Sequence, residues 1–116
     1  MKIKSEAKIQ QEIVQWFRAT YPQFLIYSVP NGVPVSLPQR IIAQIINKHK
    51  EVGMLSGVSD LIVHLPNRIL FIEVKTETGK QSVAQINFQK KVSTLGGQYI
   101  VVRSLTQFQN ELKASL

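Results

Sequence analysis

Residues 60–75 read D-L-I-V-H-L-P-N-R-I-L-F-I-E-V-K. Two apolar runs surround Pro66-Asn67; Asp60 opens the first, and Glu73 and Lys75 close the second. β-Branched and aliphatic runs of this length around a turn signal predict a β-hairpin. With a two-residue loop at Pro66-Asn67, Leu65 faces Arg68, and counting back puts Asp60 opposite Glu73. Cross-strand partners on one face have Cβ atoms roughly 4.5–5.5 Å apart. Lys75, two residues past Glu73, shares its face. Two carboxylates and an ammonium thus converge at one end of the hairpin. Both faces of that hairpin are apolar, with Leu61, Val63, Leu70 and Ile72 on one side and Ile62 and Phe71 on the other. Such a strand pair belongs in the middle of a sheet covered on both sides. Buried charges are costly unless paired or bound to a metal, and a divalent cation is the common remedy for two facing carboxylates.

Upstream, residues 5–20 predict a helix with Ser5 as N-cap and Ile9, Ile13, Trp16 and Phe17 as its apolar stripe. Glu6 falls on the side of Ile13 and Phe17, whereas Glu12 points away from it. Glu6 is therefore a core-side acid, or else a first-turn acid that complements the helix dipole. Tyr21-Pro22 ends the helix, and residues 24–29 predict a short strand. The loop P-N-G-V-P-V-S-L-P over 30–38 is either a substrate-contacting segment or a connector. A second helix over 38–52 starts at Pro38 and presents Ile41, Ile42, Ile45 and Ile46 as its core face. Its basic end, Lys48, His49 and Lys50, suits phosphates and a helix C-terminus equally. Gly57 permits a tight approach just before Asp60.

Downstream, residues 76–81 form a polar loop. A third helix over 82–95 carries Ala84, Phe88, Val92 and Leu95 on its stripe. Ser82 with Gln85 matches a capping box, so Gln85 reads as a cap as well as a site candidate. Residues 98–103 predict a last strand. A final helix with Leu105, Phe108 and Leu112 inward closes the chain. The order α-β-α-β-β-α-β-α predicts an α/β fold, a mixed central sheet flanked by helices. One domain over 1–116 is expected.

The 116 residues carry 14 Lys and Arg against 7 Asp and Glu, a net charge of +7. A polyanionic partner, nucleic acid first, is the expectation. With acids so scarce, two of them facing each other in an apolar hairpin is a strong signal. No cysteine is present, so disulfides and thiolate metal sites are excluded. No stretch of about 18 apolar residues exists to span a membrane, and the N-terminus lacks the apolar segment of a signal peptide. A cytoplasmic setting is the expectation.

An Asp, a Glu-x-Lys on the neighbouring strand and a helix-borne Glu make a hard-cation site. Magnesium prefers oxygen ligands and often uses only one or two carboxylates together with substrate phosphates. Asp60 and Glu73 are the candidate carboxylates and the Val74 carbonyl a third oxygen. Glu6 would hold a second ion or act through a water. Lys75 would orient or deprotonate the attacking water, or neutralise charge on the phosphate. Other chemistries fit poorly. His49 and His64 lack zinc-ligand spacing, and neither G-x-S-x-G nor a glycine-rich phosphate loop is present. Paired carboxylates also serve glycosidases, but the positive charge and the adjacent lysine favour phosphate.

The pattern over the whole chain is more specific than its chemistry. S-E-x-x-I-Q at 5–10, P-N-G at 30–32, G-V-S-D-L at 57–61, E-V-K at 73–75, Q-S-x-x-Q at 81–85 and G-x-Y-x-V-V-R at 97–103 come in order. Together they resemble the VRR-NUC family, the virus-type replication-repair nucleases of the PD-(D/E)xK superfamily. The resemblance implies a restriction-endonuclease-like core and magnesium-dependent DNA cleavage, with manganese as substitute. It places Glu6, Asp60, Glu73, Lys75 and Gln85 in the active site. Asn31, Arg40, Lys48, Lys50 and Lys80 become candidate DNA contacts. Ser59 stands where the family usually has proline, a conformational rather than a chemical departure. Stand-alone phage and bacterial members are similar to homodimeric Holliday-junction resolvases. The chain leaves no room for the added domains of larger, flap-cutting relatives, so the expectation is a homodimer acting on four-way or otherwise branched DNA. The alternatives are a less selective flap or nicking nuclease and a non-catalytic DNA-binding module.

Overall fold

The computed structural model describes residues 3–30 and 36–116. The elements are α1 (Glu6–Thr20), β1 (Leu25–Ser28), α2 (Gln39–Glu51), β2 (Leu61–Leu65), β3 (Arg68–Val74), α3 (Val83–Thr94), β4 (Gln98–Val102) and α4 (Leu105–Ser115). Their order is the expected one. The four strands form one mixed sheet in the order β1-β2-β3-β4, antiparallel except for the parallel pair β3-β4. The hairpin β2-β3 thus lies in the middle of the sheet, as its two apolar faces require.

The hairpin register follows from its turn. Leu65 pairs with Arg68 and Leu61 with Ile72, so the loop is the two residues Pro66 and Asn67. Asn67 takes a left-handed φ of 62°, a conformation that asparagine tolerates better than most residues. The ladder stops at Leu61–Ile72. Asp60 lies just beyond it, and the Asp60 backbone carbonyl accepts from Val29 N.

One face of the sheet carries the core. Ile9, Ile13 and Phe17 of α1 and Phe108 and Leu112 of α4 pack on Leu61, Val63, Leu70, Ile72, Val74, Ile100 and Val102. Trp16 and Phe17 meet the Phe108 ring edge-on, at centroid distances of 6.2 and 6.3 Å. On the other face, Phe88 of α3 packs edge-on against Phe71 and Tyr99, at 5.7 and 6.0 Å. Side chains two apart in a strand share a face, so β3 divides cleanly. Leu70, Ile72 and Val74 face α1 and α4, whereas Phe71 and Glu73 face α3.

Two helices depart from expectation. Ile41, Ile42, Ile45 and Ile46 of α2 are only half-buried, and no described residue of α2 is fully buried. The isoleucine stripe is amphipathic as read, but periodicity does not reveal what covers it. Leu95 falls after the end of α3 and is 78% exposed instead of joining its stripe.

Candidate active site

Each acid reaches the site by a local rule. Ser5 caps α1, its Oγ accepting from Lys8 N at 3.1 Å, and this puts Glu6 in the first turn. Asp60 sits one residue before β2, and its Oδ2 accepts from Val74 N at 2.8 Å. That bond crosses from the start of β2 to the end of β3 and anchors the carboxylate beside Glu73. Ser59, where proline is usual, is fully buried, and its Oγ donates to the Leu61 carbonyl at 3.4 Å. Gly57, with φ 85°, lies where any Cβ would collide with the Ala84 carbonyl. Its lack of a side chain lets the segment before Asp60 rest against the first turn of α3.

Glu6, Asp60 and Glu73 each offer a carboxylate oxygen, and these oxygens lie within 4.8 Å of one another. Glu73 is fully buried and Lys75 only 8% exposed, with Lys75 Nζ 3.9 Å from Glu73 Oε2. Burial first, then the hydrogen bond and charge of Asp60, push Glu73 up to about 8, against the pull of Lys75 and Tyr99. The cluster is short of positive charge, and a hard divalent cation among the three carboxylates would supply it. The donors are all oxygen, which suits magnesium or manganese rather than zinc.

Gln85 fulfils both of its readings at once. Ser82 Oγ accepts from Gln85 N at 3.2 Å and Gln85 Oε1 accepts from Ser82 N at 2.8 Å, a complete capping box. The other end of the same amide, Nε2, donates to Glu73 Oε2 at 2.8 Å. The cap fixes the side chain, and the fixed side chain holds the buried carboxylate. Glu12, by contrast, pairs with Lys4 at 2.9 Å, away from the cluster, as the helical phase of α1 requires.

The basic residues are more dispersed. Lys80 is exposed in the loop after Lys75, and Arg40, Lys48 and Lys50 are exposed on α2. None of these is joined to the carboxylates by a hydrogen bond or ion pair among the described residues. Asn31 lies outside the described residues. The Val74 carbonyl belongs to a fully buried residue at the end of β3, next to the N–H that Asp60 accepts.

Two polar contacts to the site went unassigned in the sequence. Tyr99 Oη donates to Glu73 Oε1 at 3.4 Å, and Gln81 Nε2 donates to Tyr99 Oη at 3.3 Å. Both residues stand in the motifs quoted above, but their meeting depends on the parallel pairing of β3 with β4, which no turn announces. Arg103 is also structural here. Its Nη1 donates to the carbonyls of Thr76 and Gly79, each at 2.7 Å, and so holds the loop that follows Lys75.

Comparison with known proteins agrees with this geometry. No curated protein matches the sequence. A solved structure of a VRR_NUC domain protein shares the fold, with a TM-score of 0.73 at 17% identity over 98% of this chain and 89% of that one. The family model of the VRR-NUC domain matches residues 4–105, a span that includes all three carboxylates, Lys75, Gln85 and Tyr99. On that match the chain belongs to the VRR-NUC domain family, whose members are nucleases of the PD-(D/E)xK type.

Proposed function

We propose that the chain is a magnesium-dependent DNA endonuclease, with manganese able to substitute, that cuts four-way or otherwise branched DNA as a homodimer. The observation that carries this reading is the convergence of Glu6, Asp60 and Glu73 within 4.8 Å, with the Lys75 ammonium 3.9 Å from Glu73. Asp60 and Glu73, with the Val74 carbonyl, would hold the cation, and Glu6 would bind directly or through a water. A cation there supplies the charge that stabilises an in-line phosphoryl displacement. Lys75 orients the attacking water or neutralises charge building on the phosphate. Gln85 keeps Glu73 in place. Asn31, Arg40, Lys48, Lys50 and Lys80 contact the DNA backbone, in keeping with the net charge of +7.

Residues 1–116 act as one nuclease domain with one site. Symmetric cutting of two strands then requires two copies, and the half-buried isoleucines of α2 offer apolar area for their contact. No helix among the described residues is long and apolar enough to cross a membrane. The cytoplasm of a bacterial or phage-infected cell is the proposed setting.

The test is cleavage of labelled four-way junction, flap and linear duplex, with magnesium and with EDTA, alongside sedimentation of the free protein. Magnesium-dependent cutting of the junction by a dimer is the expected result. Equal cutting of all three substrates would overturn the branched-DNA reading. Binding with no metal-dependent cutting of any substrate would overturn the enzyme reading in favour of a DNA-binding module.

A further inference from the structure

The two oxygens of Glu73 are held by different parts of the protein. Oε2 receives Gln85 Nε2 at 2.8 Å and lies 3.9 Å from Lys75 Nζ. Oε1 receives Tyr99 Oη at 3.4 Å. Gln81 Nε2 has two hydrogens and two acceptors, Gln89 Oε1 at 3.0 Å and Tyr99 Oη at 3.3 Å. A hydroxyl that accepts from an amide turns its own hydrogen elsewhere, and Glu73 Oε1 is the acceptor within reach. The chain of hydrogen bonds therefore runs one way, from Gln81 through Tyr99 to Glu73.

We propose that Tyr99 is a positioning residue, which sets the orientation of the Glu73 carboxylate for the cation, and that Gln81 sets the direction of the Tyr99 hydroxyl. A carboxylate held at Oε2 alone keeps freedom to rotate about its terminal bond. A donor on Oε1 removes that freedom before the cation arrives. Groups that hold a metal ligand without touching the metal commonly change affinity or activity about 10–100-fold when removed. Gln81 ends the loop that Arg103 pins through Thr76 and Gly79, so this support starts from a fixed point. The Tyr99 ring is separately held edge-on to Phe88 at 6.0 Å, so loss of the hydroxyl alone leaves the packing in place.

The assignment rests on the metal-dependent nuclease reading, and Tyr99→Phe tests it with a readout separate from cleavage. Manganese is titrated calorimetrically into wild type and variant, and junction cleavage is followed against magnesium concentration. The manganese dissociation constant and the magnesium half-saturation are both expected to rise about 10-fold or more. Maximal cleavage should fall by a smaller factor. Gln81→Leu should shift both in the same direction by less. Both variants should melt close to wild type in EDTA. Wild-type manganese affinity and half-saturation in Tyr99→Phe would overturn the assignment, as would a variant that differs only in melting temperature. Wild-type protein that binds manganese but cuts no DNA overturns the nuclease function and leaves the calorimetric comparison decisive for Tyr99. Wild-type protein that binds no manganese overturns both.

Discussion

On one side of β3, Leu70, Ile72 and Val74 press into the layer of α1 and α4. On the other, Phe71 and Glu73, with Lys75 just beyond, meet α3 and Tyr99. Ile72 and Glu73 are adjacent and both fully buried, yet their burial follows different physics. Ile72 needs only volume, and neighbouring apolar groups fill it without directional demands. Glu73 needs partners for each oxygen, and it draws them from three separate elements: Gln85 of α3, Lys75 after β3 and Tyr99 of β4. The apolar side is therefore set by composition and period, and the charged side by the meeting of distant residues.

The sharpest way to separate the sides is Lys75→Ala. Removal of a positioned proton-transfer or charge-stabilising group costs about 10²–10⁴-fold in rate. Cleavage should fall by that factor while junction binding in gel shift persists; near wild-type cutting would exclude Lys75 from the reaction. Ile72→Ala probes the other side. It should destabilise the fold by about 2–5 kcal/mol in urea unfolding while the folded fraction cuts at the wild-type rate. If Ile72→Ala lost activity without losing stability, the division between the two faces would fail.

Gly57→Ala tests the joint between them. It forces an L side chain to φ 85° and against the Ala84 carbonyl. A cost of about 1–3 kcal/mol is expected, together with weaker cleavage, because the first turn of α3 carries Gln85. A further test concerns pH. Glu73 is raised from 4.5 to about 8 in the fold, so the folded protein holds a proton that the unfolded chain releases. That contribution is fully present below about 4.5 and is lost as pH rises through about 8. Melting temperature in EDTA should therefore decline across this window, and Glu73→Gln should flatten the decline. Magnesium should raise the melting temperature of wild type more at the alkaline end than at the acid end, because a cation displaces the proton. A slope unchanged in Glu73→Gln would assign it to another group.

Much of this was legible from local rules. The hairpin register, the place of Asp60 beside Glu73, the phase of α1 that brings the exposed Glu6 to the other two carboxylates and the capping box at Ser82 each follow from residues a few positions apart. Gln85 read as an ambiguity between cap and site because the sequence has no way to say that one amide end does each job. α2 misled for the converse reason: its isoleucine stripe has the right period, but period reports amphipathicity and not the identity of the covering surface.

The sequence by itself determined the element order, the central hairpin and the candidate carboxylates Glu6, Asp60 and Glu73, since turn chemistry and side-chain period act over short range. Only the tertiary structure decided that β4 lies parallel to β3, that Tyr99 and Gln81 therefore reach Glu73, that Arg103 holds the loop after Lys75, and that Leu95 is exposed. A parallel pair is joined by a crossover whose partner choice depends on how a whole helix packs, so no local run of residues encodes the contact.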